Sequence, residues 1–310
     1  MRKSRRYVTP HPYRAYTPFR QLTGAAEQPR RQFMPRETYL DMLAAAEALL
    51  PLLDAPELDW ADARRVHDAA YLTRWRRGDV TRDEERQMGF RWSPDIITRG
   101  LLSSGATLAA THDARRTGWG VNFGGGTHHA YRDHAEGFSF LNDVVISAAR
   151  ALADGWATRV LILDLDVHQG NGTAAMLAGE PRAFTLSVHA ERNYPFRKER
   201  STLDLALPDG TDDAAYLRVL HEAALPAAAA FTPDLLFYLA GADVLAGDQL
   251  GRLALSEAGL YARDHAVFTW ARGLGVPLVT VMAGGYNHDA ALNARARLGT
   301  LRAGLSVYAP

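Results

Sequence analysis

The chain has 310 residues, 47% of them hydrophobic and 23% charged, enough for one large α/β domain or two smaller ones, and no apolar run approaches the roughly 20 residues of a membrane span. With no cysteine, disulfides, thiolate metal sites and cysteine nucleophiles are excluded, so any metal must use histidine and carboxylate. The formal net charge is zero but uneven: residues 1–31 hold eight Lys/Arg against Glu27 alone, leaving about −7 on the remainder.

The basic leader is followed by no apolar segment, so no secretory signal is expected and a cytoplasmic protein fits. It reads as a solvated arm, with contact to nucleic acid or an acidic partner as the alternative. Residues 36–50, RETYLDMLAAAEALL, are patterned as an amphipathic helix that Pro51 should end. From 119 onward the strand-like runs WGVNF, ATRVLILDLD, AFTLSVH, DLLFYLAG and VPLVTVMAGG alternate with helical stretches near 140–154, 171–179, 212–230 and 256–274. Uninterrupted apolar strands separated by helices predict a parallel sheet covered on both faces, in one doubly wound domain.

In such a sheet ligands bind beyond the carboxyl ends of the strands. Four strand ends carry polar groups there: His128 and His129; Asp164, Asp166 and His168; Asp243; and Tyr286. Alternation along an extended chain would point Asp164, Asp166 and His168 to one side if the strand continues to 168. Asp166, His168 and Asp243 offer one imidazole and two carboxylates, leaving room for water and substrate as catalytic zinc requires; iron(II) would accept the same donors. The plain alternative is that each is a satisfied polar group at the core's edge.

Two imidazoles beside a metal supply an acid and a base if each is oriented by a second group. Asp164 is the candidate partner of His128, and Asn171 of His129. An aspartate partner favours the charged ring more than an asparagine does, so the two histidines should differ in pKa. Tyr286 in AGGYN is either a turn residue or a phenol donating to an oxyanion. Phe138, beside Gly137 in EGFSFLND, is either a core aromatic or the wall of a narrow tunnel.

The motifs VHDAAYL, GGGTHHA, GFSFLND, DLDVHQGNGT, GADVLAGDQLG and MAGGYN, in that order between about 60 and 290, resemble the zinc-dependent histone deacetylase superfamily, which includes the bacterial acetoin-utilisation and acetylpolyamine deacetylases. HAERNYPFRKERSTLDLALPDGTDD is similar to the class IV branch and its bacterial relatives. The resemblance implies an arginase-like three-layer α/β/α sandwich with a central, mostly parallel sheet. It implies zinc on Asp166, His168 and Asp243, a His128–Asp164 pair, His129 as general base, and Tyr286 polarising the scissile carbonyl. Gly137 would accept the leaving amine's N–H and Phe138 would line the tunnel. A structural potassium would sit on Asp164, Asp166, His168, Ser187 and Val188, and Arg36 would lie near an internal acetate cavity.

The implied substrate is N-ε-acyl-lysine of a protein or peptide, with acetylpolyamines or other small amides as the alternative and a non-catalytic acyl-lysine binder as a remote one. Polyamine-selective relatives carry a rim glutamate where this chain has Leu250, although Asp248 is near enough in sequence to replace it. Gln169 and Ser139 depart from the histidine and cysteine of many relatives. The match divides the chain into a basic arm, 1–31, and a single catalytic domain, 32–310.

Overall fold

A computed structural model describes residues 12–18 and 35–309; most of the basic arm therefore lies outside the described residues. Eight parallel strands form one sheet: β1 (Ala15–Thr17), β2 (Leu52–Asp54), β3 (Trp119–Asn122), β4 (Val160–Asp164), β5 (Ala183–Ala190), β6 (Leu203–Leu207), β7 (Leu235–Leu239) and β8 (Leu278–Val281). Their order across the sheet is β2-β1-β3-β8-β7-β4-β5-β6. The four strands read as site-bearing, β3, β8, β7 and β4, are thus consecutive neighbours at the centre.

Continuous apolar strands have two greasy faces, and the side chains alternate between two cores. Leu161, Leu163, Leu236 and Tyr238 enter one, covered by α1 (Arg36–Glu47), α8 (Asp213–Val219), α10 (Glu257–Leu274) and α11 (Ala290–Tyr308). Val160, Ile162, Leu235, Phe237 and Leu239 enter the other, under α5 (Pro94–Thr117), α6 (Asp143–Ala153) and the end of α7 (Asn171–Met176). At about 1.5–3 kcal/mol for each large apolar side chain buried, this two-sided packing drives the three-layer α/β/α arrangement. A satellite cluster of Leu58, Tyr71, Leu72, Trp75, Met88 and Phe140 gathers α2 (Trp60–Ala63), α3 (Ala69–Arg77) and α4 (Arg82–Met88) beside the carboxyl edge.

Three expectations change. The helix read as 36–50 stops at Glu47, because the residue before Pro51 is pushed out of helical conformation. The stretch 212–230 is not one regular helix: α8 passes through a π turn, Leu220–Ala224, into α9 (Leu225–Ala230), whose Pro226 lacks the N–H that would continue regular bonding. Part of the basic arm belongs to the sheet: Ala15–Thr17 pairs with both β2 and β3, and Ala15 is fully buried. Among the described residues no helix is long and apolar enough to cross a membrane.

Candidate metal and catalytic centre

β4 ends at Asp164 rather than running on to 168. Asp164 Oδ1 accepts the Asp166 N–H at 3.1 Å, and Asp166 Oδ1 accepts the His168 N–H at 2.9 Å. Aspartates capture backbone donors two residues on in this way and bend the chain out of extension. The bend turns Asp166 and His168 toward β7 instead of leaving them in a flat row. There they meet Asp243, with donor atoms of all three buried residues within 4.8 Å of one another. His168 Nδ1 lies 3.0 Å from Asp166 Oδ1 and 3.2 Å from Asp243 Oδ2.

The donor set fits a divalent cation. Asp243 Oδ1 accepts the Val167 N–H at 3.0 Å, whereas Oδ2 is buried and makes no hydrogen bond. Burial first, and then the neighbouring Asp166 charge, pushes the Asp243 carboxyl up, so two adjacent carboxylates are costly here without a compensating cation. Room is kept by glycine: a Cβ on Gly284 would fall 2.7 Å from Asp166 Oδ2, and closer still to Asp243 Oδ2. The Gly284 N–H instead donates to Asp166 Oδ2 at 2.8 Å.

Beside the trio stand the two histidines that follow β3. His128 Nδ1–H donates to Asp164 Oδ2 at 2.7 Å. Burial opposes its charge, but Asp164 and Asp166 outweigh that and raise its pKa to about 9. His129 Nδ1–H donates to Asn171 Oδ1 at 2.6 Å. The amide is oriented unambiguously, since Asn171 Nδ2 donates to Glu136 Oε1 at 2.7 Å and a carboxylate only accepts. His129 therefore presents the Nε2 lone pair, 3.1 Å from His128 Nε2. Burial, then the neighbouring His128 and His168, holds it well below its ordinary pKa. The two rings differ in the expected direction.

Tyr286 arrives from the loop after β8, its ring 6.4 Å from that of His168 and 6.3 Å from that of Phe138. Burial and the nearby carboxylates push its phenol far up, which keeps it a donor. Its N–H donates to Asp248 Oδ2 at 2.7 Å, and Asp248 Oδ1 accepts from the Leu250 and Gly251 N–H groups. Asp248 is thus engaged in shaping the Tyr286 loop. Leu250 is half-buried in the same loop, its carbonyl receiving Asn193 Nδ2.

Gly137 touches the His129 ring: a Cβ there would lie 2.5 Å from His129 Cδ2. Phe138 adopts φ of 65°, a conformation costing about 1–3 kcal/mol for a side-chain-bearing residue. Its N–H bond to Met88 O, at 2.7 Å, holds that shape at the end of α4. The Phe138 ring packs 5.2 Å from Phe90 and is half-buried rather than enclosed in the core. Of the five residues read as a potassium site, Asp164 and Ser187 are paired in register across β4 and β5, and Ser187 Oγ lies 3.0 Å from His189 Nδ1. Val188 is buried beside them. Arg36 begins α1, and its side chain lies outside the described residues.

Several supporting groups were not foreseen. Glu136 accepts from Asn171 and, at 2.5 Å, from Tyr194 Oη, whose ring stands 5.1 Å from His129. Tyr194 lies within the quoted class IV-like stretch, so a signal existed. Gln169, the departure from the usual histidine, donates to Glu199 O and Asp204 Oδ1, each at 2.7 Å, and fastens the loop after β5.

The histone deacetylase domain family matches residues 27–300. A protein of Picosynechococcus, itself uncharacterised, is 40% identical over 231 residues, 74% of this chain and 76% of that protein. A histone deacetylase-like amidohydrolase of Pseudomonas aeruginosa is 30% identical over 284 residues, 85% of this chain and 73% of its own length. Histone deacetylase 2 of Arabidopsis thaliana is 38% identical over 190 residues, 60% of this chain but only 49% of the plant protein.

Proposed function

This chain belongs to the histone deacetylase family, and on that footing we propose that it is a zinc-dependent deacylase acting on N-ε-acyl-lysine of proteins or peptides. It is an amide hydrolase of the histone deacetylase kind. The observation that carries the finer reading is the juxtaposition of a buried carboxylate–imidazole–carboxylate trio with two differently charged histidines. Asp166, His168 and Asp243 would hold the ion; iron(II) is the second candidate. When bound, the ion supplies Lewis acidity toward the amide carbonyl and lowers the pKa of water.

The chain's own residues account for the proton movements. Neutral His129 takes a proton on Nε2 from the attacking water and later delivers one to the leaving nitrogen. Cationic His128, fixed by Asp164, offsets negative charge developing beside it. Tyr286 donates its phenolic proton in a hydrogen bond to the carbonyl oxygen as that oxygen becomes anionic. The Gly137 carbonyl takes a bond from Ser139 Oγ at 3.3 Å and has a second lone pair for the leaving amine's N–H. Phe138 and Tyr194 wall the acyl-lysine stem and exclude water.

The substrate reading rests on Leu250 and on the commitment of Asp248: no carboxylate in this loop is left for the second ammonium of a polyamine. Class IV character, from the 189–213 stretch, implies tolerance of longer acyl chains. A structural potassium on Asp164, Asp166, His168, Ser187 and Val188 and a cytoplasmic location complete the proposal. Any nucleic-acid contact would come from the basic arm. The test is elemental analysis of the purified protein with turnover of a fluorogenic acetyl-lysine peptide; absence of bound divalent metal together with absence of turnover would overturn the reading.

A further inference from the structure

Against the backbone that carries the trio lies a cation that the proposed mechanism does not use. Arg263 of α10 is completely buried, as is the adjacent Asp264. An ion pair between them would by itself be an ordinary device for placing charge in a core. Arg263 Nε donates to Asp264 Oδ1 at 2.8 Å, and Asp264 is completed by Tyr238 Oη and Thr300 Oγ1, each at 2.5 Å. The guanidinium does more than this pairing requires. Nη1 donates to the carbonyl of Leu165 at 3.1 Å and to the carbonyl of Gly241 at 2.8 Å.

Those two carbonyls are informative. Leu165 stands between Asp164, the partner of His128, and Asp166; Gly241 stands two residues before Asp243. One nitrogen therefore ties the segment leaving β4 to the segment leaving β7. These segments carry the two carboxylates, which repel each other when both are charged. They also touch: a Cβ on Gly241 would lie 2.6 Å from Asp166 Oδ2 and 2.7 Å from the Asp166 Cα. A planar guanidinium with five donors can bridge two carbonyls and a carboxylate at once, which a lysine ammonium matches poorly.

We infer that Arg263 is a positioning residue for the metal site: by clamping the Leu165 and Gly241 carbonyls it fixes the separation of Asp166 and Asp243. The inference rests on the metal reading above. Asp264, Tyr238 and Thr300 hold the clamp, since they fix the guanidinium from behind. Groups that orient metal ligands without touching the metal typically change affinity or activity by about 10- to 100-fold when removed, and a change in that range is expected here.

The experiment measures zinc affinity by competition with a chromophoric chelator, and the d–d spectrum of the cobalt(II)-substituted protein, in wild type, Arg263→Lys and the double variant Arg263→Met/Asp264→Leu. Removing both charges together avoids stranding one of them in the core; near-ultraviolet circular dichroism reports whether each variant is folded. The expected result is a folded double variant with zinc affinity lowered by about 10- to 100-fold and a shifted cobalt band, and a smaller loss in Arg263→Lys. Wild-type affinity and an unchanged band in the folded variants would overturn the inference while leaving the metal reading intact. Should the double variant not fold, Arg263→Lys decides alone: lowered affinity supports the clamp, unchanged affinity overturns it. A wild type that takes up no divalent ion sinks the metal reading, and this inference with it.

Discussion

His67 should make the stability of the catalytic edge depend on pH. It is buried; its Nδ1–H donates to Tyr131 O at 2.9 Å, and its Nε2 accepts the Asn142 N–H at 3.0 Å. It thus joins the segment just after the histidine pair to the start of α6. Protonation would set a second N–H against the Asn142 donor in a site without solvent. Burial accordingly lowers its pKa from 6.5 to about 4. In the unfolded chain the ring takes up its proton near 6.5, so between 6.5 and 4 the unfolded state binds more protons than the folded one. Stability therefore falls as pH drops through that window, and the loss is complete below 4. At about 1.4 kcal/mol per tenfold, the drop amounts to about 3 kcal/mol. The assay is urea unfolding of wild type and His67→Gln at matched pH between 7 and 4. Glutamine costs some stability at neutral pH, but it cannot titrate, so its loss on acidification should be smaller by about 3 kcal/mol. Parallel losses in the two proteins would refute the reasoning.

Asp166→Ala, His168→Ala and Asp243→Ala should each lose metal, because a three-ligand site has none to spare; full occupancy by elemental analysis in any of them removes that residue from the set. Tyr286→Phe should keep its metal and lose kcat by about 10²-fold, and steady-state kinetics at unchanged metal content measures this; wild-type turnover ends the oxyanion role. Acyl-lysine peptides should exceed N-acetylated polyamines in kcat/KM, with Leu250→Glu shifting the ratio toward polyamines. A tenfold wild-type preference for the polyamine contradicts the assignment.

The legible parts of the fold were those whose sequence repeats its instruction. β4, β7 and β8 are mainly apolar runs, β5 is buried along most of its length, and each lies within a few residues of the limits the sequence suggests. β1 and β2 are three residues each, too short to show a period, and β6, LDLAL, alternates weakly at the sheet's edge. The long helix α5 shows no clear stripe because it is buried all round at Ser103, Ser104, Gly105, Ala106 and Thr107, small residues that leave little hydrophobic contrast. Small side chains are what the close contact with β3 demands: a Cβ at Gly120 would lie 2.8 Å from the Ala110 carbonyl carbon. The site followed the same logic. Asp164, Asp166 and His168 sit in one short motif, whereas Glu136 reaches Asn171 across 35 positions and Arg263 reaches Leu165 across 98. No local pattern encodes such pairs, which exist only once the strand ends converge.

Asparagine at 171 makes His129 the ring readier to act as base in the proposed mechanism, because it leaves that imidazole neutral. The two rings are neighbours in sequence, equally enclosed, and 4.1 Å apart, so burial alone cannot distinguish them. Asp164 stands directly against His128 and stabilises its positive charge. Against His129 stands an uncharged amide, with cationic His128 on its other side, and a second proton is doubly disfavoured. A carboxylate does serve this second ring, but at one remove: Glu136 grips the Asn171 amide and so fixes its orientation without touching the imidazole. Coulomb attraction weakens with distance while a hydrogen-bond chain still transmits direction. His129 thereby gains the alignment a carboxylate would give it and avoids the protonation that direct contact would bring.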